Sequence, residues 1–322
     1  MIDTAAKSAF EALAVAPCDP AAVEAVARRL KAAGAAPSLA DRADLAARLA
    51  HAAFAAPGAV AATYDAAARG WFGEAVGGPA VALDDTAAPP PPELWAAIWT
   101  LLEELDAGSV GAEVTSRTAA LGAHFAEGFR PLAARAALAY PGVAEAAAAG
   151  YPPRMTLAAL ARCPEGSLGH EFYRLIVDNG FDLEVLDREA LGLAGLTPPL
   201  DYLNARILQC HDLWHIVGGY RTTGLHEVAI SAFQLAQFGH SYSATFLAMV
   251  VAGGMTRPPE AFGLIPETIL SARVHGRRTP PLIGIPWEDV WNQPTEAIRA
   301  RFGIAAYVSP YPADLFEQPR AA

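Results

Sequence analysis

Signals for helix starts recur along this chain, and they constrain its fold more than any other feature. Asp19 precedes Pro20, which pairs an N-cap acceptor with a proline in the first turn, and an alanine-rich amphipathic segment follows to about Leu30. Ser38 stands at the same position before a second segment, which runs to about Phe54. Alternation of apolar and polar residues, the pattern of a half-buried strand, is almost absent. The sequence therefore predicts an all-α protein, a multi-helix bundle.

Changes in composition predict how the chain is organised. Residues 1–75 form an alanine-rich helical N-terminal region. Residues 76–92 contain paired glycines and end in four consecutive prolines, a composition that suits an extended linker. Residues 93–150 are again helical and should pack on a core. From residue 151 aromatic residues and histidines become frequent, so we expect a chemistry-bearing domain at 151–305 and a C-terminal tail at 306–322. Three more helices are predicted, at about Val60 to Arg69, Glu93 to Leu105 and Val110 to Ala139.

Charge and cysteine usage exclude several classes of function. The formal net charge of -11 argues against a nucleic-acid partner, because binding phosphates requires clustered lysines and arginines. The three cysteines stand far apart, which fits reduced thiols in a cytosolic setting better than a disulfide framework. The N-terminus lacks the apolar core of a signal peptide, and no stretch reaches the roughly 20 apolar residues of a membrane span. We therefore expect a cytoplasmic protein that binds no nucleic acid.

Four side chains able to bind a metal stand close together in the sequence: His211, Asp212, His215 and Glu227. At 100° per residue, the two histidines share one face of a helix, and Asp212 lies within the same arc. Two imidazole nitrogens with one or two carboxylate oxygens suit zinc, manganese, iron(II) or cobalt better than calcium or magnesium. We predict a divalent-metal site built from these four residues, in which Asp212 is either a ligand or a group that orients one.

The residues between the histidines and Glu227 predict a helix–turn–helix. One helix should run from Leu203 to Val217 and end at the two glycines that follow. Thr222 or Thr223 can cap a second helix that begins near Leu225. A tight glycine-rich turn of this kind would bring Glu227 back beside the first helix.

Two hydrolase classes use similar residues. A zincin peptidase needs a glutamate directly after the first histidine as general base, and Asp212 occupies that position, so a peptidase is disfavoured. A metal-dependent phosphohydrolase of the His-Asp type stays open. It requires an upstream histidine, for which His170 is available, and a later aspartate, for which no compelling candidate follows.

The chain resembles the coenzyme Q (ubiquinone) biosynthesis protein 4 family, whose signature is H-D-x-x-H, eleven residues, then E. The residues from His211 to Glu227 fit this signature without any departure in spacing. The context is similar as well, since the segment 164–170 leads into Phe172 and Tyr173 much as in the family. The resemblance covers roughly half of the chain. It extends over residues 150 to 305, whereas residues 1 to 140 match poorly. Further matches within that range are Asp178-Asn179-Gly180, Glu227-Val228-Ala229 and Gly276-Arg277-Arg278.

The resemblance implies a mostly helical protein that binds a divalent metal, usually zinc, beside a groove for a polyprenyl chain. Members act on a polyprenylated 4-hydroxybenzoate-type precursor and remove its C1 carboxylate, with hydroxylation at that carbon in the oxidative form. The implied function is thus a lyase, a decarboxylase of ubiquinone biosynthesis. The alternative is a non-catalytic lipid-binding scaffold that organises other quinone biosynthesis enzymes. Peripheral contact with the inner face of a membrane and self-association as a homodimer are further expectations.

This reading gives catalytic roles to three side chains. The metal would act as a Lewis acid that positions the aromatic head group, and Asp212 would shuttle a proton or orient a histidine. His170 and Tyr173 are candidate acid–base groups beside them. Redox-inert zinc cannot activate dioxygen unaided, so the oxidative form would need iron or a substrate-centred route.

Substrate contacts are expected from two other parts of the chain. Arg277 and Arg278 could meet an anionic head group or membrane phospholipid. Phe246 belongs to an apolar stretch that could line a polyprenyl tunnel, although such stretches are more often plain core. The other members of that stretch are Phe233, Leu235, Phe238, Leu247, Met249 and Val250.

Overall fold

The protein is helical throughout the part of the chain that the structure describes, which confirms the all-α prediction. The computed structural model describes residues 4–106, 112–184, 187–255, 257–315 and 317, and no strand occurs among them. The first nine α-helices are α1 (Thr4–Ala14), α2 (Pro20–Ala33), α3 (Leu39–Phe54), α4 (Val60–Phe72), α5 (Pro92–Asp106), α6 (Ala112–Ala120), α7 (Phe129–Ala137), α8 (Val143–Ala147) and α9 (Leu157–Leu160). The next eight are α10 (Leu168–Asn179), α11 (Leu200–Gly218), α12 (Gly224–Phe238), α13 (Ser241–Gly254), α14 (Pro259–Phe262), α15 (Leu264–Arg278), α16 (Trp287–Val290) and α17 (Thr295–Phe302). Short 3-10 turns occur at Pro57–Ala59, Leu121–His124 and Leu193–Gly195.

Two predicted helix caps are confirmed by their hydrogen bonds. The carboxylate of Asp19 accepts from the backbone N–H groups of Ala21 and Ala22, at 3.0 and 3.2 Å. The hydroxyl of Ser38 accepts from the N–H of Asp41, at 3.0 Å. Each bond satisfies an N–H group that has no partner within its own helix, so α2 and α3 begin at the predicted positions.

The helical stretch predicted at about Val110 to Ala139 is helical for most of its described length, but it is interrupted. The chain forms α6, a 3-10 turn and α7 instead, and the predicted start at Val110 lies outside the described residues, as do the first three residues. The break comes at Phe125, whose backbone is extended. Its ring packs 4.4 Å from that of Phe129 and 6.2 Å from that of Phe54. Packing of this aromatic residue against α3 therefore overrides the local helical preference.

The predicted linker, residues 76–92, has no helix before its last proline, as expected, but it is held in place along its length. The N–H of Ala88 donates to the carbonyl of Ala55 at 2.9 Å. Gly78 has a φ of +75°, and a Cβ built on it would lie 2.0 Å from the carbonyl oxygen of Arg277, so only glycine fits there. The helices on the two sides of this segment share a core, because α3 packs on α13 and α4 packs on α15. The domain boundary placed here stays a prediction.

The segment predicted as a C-terminal tail folds back onto the turn between α11 and α12. Tyr307 is buried, and its ring stacks on that of Tyr220, with centroids 4.5 Å apart. The N–H of Tyr307 donates to the carbonyl of Gly218 at 2.8 Å. In the described part of the chain, no helix is both long enough and apolar enough to cross a bilayer.

Candidate metal centre

The turn between α11 and α12 depends on a glycine. Gly219 has a φ of +77°, in the left-handed region that ends many helices, and its N–H donates to the carbonyl of Ile216 at 3.2 Å. A Cβ built on Gly219 would lie 2.9 Å from the Cβ of Ala306. The turn is therefore formed together with the C-terminal segment, and it fixes the angle at which α12 leaves α11.

The start of α12 is capped differently from the prediction. Thr223 occupies the N-cap position, but its hydroxyl makes no capping bond and instead donates to the carbonyl of Ala313 at 2.7 Å. The N–H of Gly224 donates to the carboxylate of Glu317 at 3.0 Å. A distant carboxylate thus takes the place of the threonine side chain at the positive end of the helix.

Three of the four predicted ligands come together at this turn. The Nε2 atom of His211 lies 3.2 Å from Nε2 of His215 and 3.2 Å from Oε2 of Glu227. Nε2 of His215 lies 3.2 Å from Oε1 of the same carboxylate. Around a tetrahedral zinc ion with bonds of about 2.0–2.1 Å, neighbouring ligand atoms stand about 3.3 Å apart. The two Nε2 atoms therefore fit two corners of such a site, and the carboxylate of Glu227 can supply an oxygen for a third. The described residues supply no fourth ligand.

Burial differs sharply across these three side chains. His215 is 1% exposed, whereas His211 is 29% and Glu227 43% exposed, so the site opens to solvent on the side of the carboxylate. Burial lowers the pKa of His211, but the hydrogen bond and charge of Glu227 outweigh it and raise that pKa. Burial raises the pKa of Glu227, yet hydrogen bonds from both histidines hold it well below its usual range. Both shifts favour the charged forms.

Asp212 is not brought into this group. The donor atoms of His211, His215 and Glu227 all lie within 4.8 Å of one another, and within the described ranges no fourth acidic, histidine or cysteine side chain joins them. Asp212 acts on the group through its charge, which raises the pKa of His211. Its predicted role as a ligand or proton shuttle stays a prediction.

The two other predicted acid–base residues lie on α10, which packs against α11. The rings of His170 and Tyr173 stand 6.2 Å apart, and both side chains are partly exposed. The backbone N–H of His170 is capped by the hydroxyl of Ser167 at 3.3 Å. Neither side chain belongs to the group of metal donors, so their catalytic roles stay predictions.

The two arginines predicted to bind substrate have partners within the protein. Arg277 is buried, forms an ion pair with Asp65 at 3.4 Å and donates to the carbonyl of Pro79. Arg278 donates to the carbonyl of Val76 at 3.1 Å. Both guanidinium groups hold the linker segment against α15, so an anionic substrate would have to compete with these contacts.

Most of the apolar stretch predicted to line a polyprenyl tunnel is core. Phe246 on α13 is only partly buried, and its ring stacks on that of Tyr242 with centroids 6.3 Å apart. Val250, one turn later, is also partly buried. These two residues keep surface that a lipid could contact. The fully buried members are Phe233, Leu235, Phe238, Leu247 and Met249.

One polar residue at this site was missed by the sequence reasoning. The side-chain amide of Gln234 lies 2.8 Å from Nδ1 of His211, on the side of the ring away from the metal donors. Gln234 is buried on α12. It follows Glu227 by seven residues, which is two helical turns, so its position on the same face was readable from the sequence.

Comparison with known proteins places this region in a family. The family model of the coenzyme Q (ubiquinone) biosynthesis protein Coq4 matches residues 153–307. The ubiquinone biosynthesis protein COQ4 homolog, mitochondrial, of Rattus norvegicus is 30% identical over 162 residues, which are 47% of this chain and 55% of that protein. The ubiquinone biosynthesis protein COQ4, mitochondrial, of Eremothecium gossypii is 28% identical over 153 residues, 47% of this chain and 46% of that protein. The chain thus spans about half the length of these curated relatives.

A solved structure has a similar fold. The crystal structure of a Nostoc punctiforme protein, described as a ubiquinone biosynthesis protein, superimposes with a TM-score of 0.51 at 23% identity. The superposition covers 66% of this chain and 97% of that one. The three metal donors lie inside the matched range of the family model. Residues 153–307 therefore match the Coq4 family model, and it is through this region that the chain is similar to the coenzyme Q (ubiquinone) biosynthesis protein Coq4 family.

Proposed function

We propose that this protein acts in ubiquinone biosynthesis as a metal-dependent decarboxylase of a polyprenylated 4-hydroxybenzoate-type precursor. Similarity to the Coq4 family supports the pathway. The observation that carries the chemistry is the convergence of His211, His215 and Glu227. Their two Nε2 atoms lie 3.2 Å apart, and each lies 3.2 Å from one oxygen of the carboxylate. Zinc suits this donor set best, and iron, manganese and cobalt accept the same ligands.

The reaction requires charge stabilisation and one proton. When bound, the metal supplies positive charge that attracts the ring carboxylate or a neighbouring oxygen. Cleavage of the bond between C1 and the carboxyl carbon leaves its electron pair on C1 and releases carbon dioxide, so a proton must then be delivered to C1. Asp212, adjacent in sequence to His211 and close enough for its charge to raise that pKa, is the residue we propose for this transfer.

The uneven burial of the donors supports approach of a substrate from one side. His215 is sealed in the interior, whereas the carboxylate of Glu227 is 43% exposed. On α13, Phe246 and Val250 keep part of their surface exposed and are the apolar residues we propose for the prenyl chain. The same arrangement would allow partner enzymes or a membrane surface to present the lipid, and those partners are part of the proposal.

The test substitutes His211→Ala and Glu227→Gln, with His124→Ala at an exposed histidine as the matched control. Bound metal, melting temperature and the accumulated quinone precursor are measured, the last in cells that lack the endogenous activity. We expect both site variants to lose bound metal and quinone formation while keeping their fold and partner binding, and the control to behave as wild type.

Two outcomes would decide against the proposal. Normal quinone levels with either site variant would refute an enzymatic role for this centre. Loss of quinone together with loss of partner binding would favour the scaffold, in which the metal only joins α11 to α12.

A further inference from the structure

Behind the metal donors lies a chain of polar side chains buried within the helix bundle. It runs from Nδ1 of His211, on the side of the ring opposite the metal-binding nitrogen, to a backbone carbonyl in the first turn of α11. Every step is within hydrogen-bonding distance, between 2.6 and 3.5 Å. The members after His211 are, in order, Gln234, Ser243, His240, Asn204 and the carbonyl of Leu200.

The far end of this chain has only one consistent arrangement of hydrogens. The side-chain amide of Asn204 lies 2.6 Å from the carbonyl oxygen of Leu200, and a carbonyl only accepts, so the NH₂ group must face it. The amide oxygen of Asn204 is therefore left facing Nε2 of His240 at 3.2 Å. Because that oxygen also only accepts, Nε2 of His240 must carry a hydrogen.

The next two steps follow from the first. Burial, together with the charge of His211, lowers the pKa of His240 to about 3, so its ring is neutral and Nδ1 has a lone pair. The hydroxyl of Ser243, at 3.0 Å, must donate to that lone pair. With its single hydrogen used, Ser243 can only accept from Gln234. The glutamine then directs its NH₂ group at the serine and its oxygen at His211.

This orientation of Gln234 is reached by a half-turn of its terminal amide. The oxygen and nitrogen of a glutamine amide have nearly the same shape, and their assignment follows from the surrounding hydrogen bonds. In the structure the amide nitrogen of Gln234 lies 2.8 Å from Nδ1 of His211, and its oxygen lies 3.5 Å from the hydroxyl of Ser243. The half-turn exchanges the two atoms, so the oxygen then faces Nδ1 of His211 and the nitrogen faces Ser243.

We propose that the chain from Asn204 to Gln234 holds the proton of His211 on Nδ1 and leaves the Nε2 lone pair free for the metal. Gln234 is the positioning residue, since it accepts the Nδ1 hydrogen directly. An acceptor behind a metal-binding histidine fixes its tautomer and ring orientation. The inference rests on the proposed metal site, but it also concerns the protein without metal.

The second histidine ligand lacks such support. Nδ1 of His215 is buried and has no hydrogen-bond partner in the part of the chain that the structure describes. Apart from the contacts of its Nε2 atom with His211 and Glu227, its ring is held by packing, at 1% exposure. The buried chain therefore prepares His211 specifically, which makes Gln234 a sharp target for substitution.

The first test reads the tautomer without any metal. Long-range ¹⁵N–¹H spectra of metal-free Glu227→Ala at alkaline pH distinguish a hydrogen on Nδ1 from one on Nε2, with no carboxylate competing for the Nε2 hydrogen of His211. We expect Nδ1–H for His211 in this background, and a mixture or Nε2–H when Gln234→Leu or the milder Ser243→Ala is added. A signal from Nε2–H in Glu227→Ala itself would overturn the proposal.

The second test measures affinity for cobalt(II) through its visible absorption. Gln234→Leu should weaken binding about 10- to 100-fold, the usual effect of losing a partner behind a ligand. Gln234→Glu, whose carboxylate can only accept, should bind within about threefold of wild type by the same reasoning. Gln234→Leu with wild-type affinity would contradict the positioning role.

Gln237→Leu provides the matched control. It makes the same change three residues later in α12, where the amide donates to the carbonyls of Gly276 and Thr279. This variant should be less stable but should bind cobalt normally, and weakened binding would show that the Gln234 effect is merely structural. A wild type that binds no cobalt, together with Nδ1–H for His211 in Glu227→Ala, would defeat the proposed metal site while supporting the buried chain.

Discussion

Protons bind the same atoms of His211 and Glu227 that the proposed metal ion would use. The pKa of His211 is raised in the folded protein, so the charged imidazole stabilises the fold. This contribution is complete below pH 6.5, the ordinary pKa of histidine, and is lost as the pH rises through the pKa of His211 in the folded protein. The pKa of Glu227 is lowered, so its carboxylate also stabilises the fold. This contribution is complete above pH 4.5, the ordinary pKa of glutamate, and is lost as the pH falls through the pKa of Glu227 in the folded protein. Without metal, the pair stabilises the fold most between these two ordinary values.

This pH range of greatest stability can be observed in the metal-free protein. The melting temperature should pass through a maximum between about pH 4.5 and 6.5, and Glu227→Gln should flatten that maximum because its neutral amide cannot hold the charged imidazole. Glu93→Gln, at an exposed glutamate, serves as the control and should leave the profile unchanged. Parallel profiles for wild type and Glu227→Gln would contradict the coupling.

Individual residues were predictable where their partners are close in sequence. His211, His215 and Glu227 lie within two neighbouring helices, so helical periodicity was enough to group them. Arg277 was expected at a substrate, but its partner Asp65 lies on α4, far back in the chain. Spacing along the sequence carries no information on such a distant pair.

At the scale of helices, the site depends on how closely α12 and α15 approach each other. Gly276 lies in α15 where it crosses α12, and a Cβ there would stand 2.6 Å from the Cβ of Ala236 and 2.9 Å from the carbonyl oxygen of Phe233. Contacts of this length cannot form without moving one helix. The absence of a side chain at Gly276 therefore sets the position of the helix that carries Glu227.

Gly276→Ala should lower the free energy of unfolding by about 1–3 kcal/mol, because the added methyl overpacks the contact between the helices. Gly253→Ala in α13 is the matched control, since its Cβ would meet only Leu102 at 3.7 Å. The control should be neutral or up to about 1 kcal/mol more stable. Urea unfolding measures both variants, and equal stabilities would argue against the close approach.

Helix starts were predictable wherever the capping group lies in the same helix. Asp19 and Ser38 cap their own helices, and both were identified. The side chain of Thr223 looked equally suitable, yet Glu317 supplies the carboxylate at that helix start. The break at Phe125 was missed for the same reason, because its cause is packing against the distant Phe54.

At the scale of the whole molecule, one buried ion pair joins the two halves of the chain. Arg273 on α15 is fully buried and donates to Asp65 on α4 at 2.8 and 3.0 Å. A further bond runs from Arg273 to the carbonyl of Leu235 on α12, at 3.1 Å. The region that matches the Coq4 family model is thereby tied to the alanine-rich N-terminal region by a charge that has no access to water.

Asp65→Asn should lower the free energy of unfolding by about 3–5 kcal/mol, because it leaves a buried guanidinium without its counter-charge. Glu74→Gln removes an exposed ion pair to Arg278 and should cost no more than about 1 kcal/mol. Both are measured by urea unfolding with probes in each half. Equal effects of the two substitutions, or separate transitions for the two halves, would contradict the link.

The C-terminal segment has a practical consequence for how the protein is produced. The carboxylate of Glu317 accepts from the N–H of Gly224, which lies three residues before the proposed metal ligand Glu227. Glu317 itself lies outside the match to the family model, which ends at residue 307. A hexahistidine tag attached a few residues beyond Glu317 would add six imidazoles to the segment that contacts the start of this helix. Such a tag would distort any count of bound metal, so an affinity tag belongs at the opposite terminus.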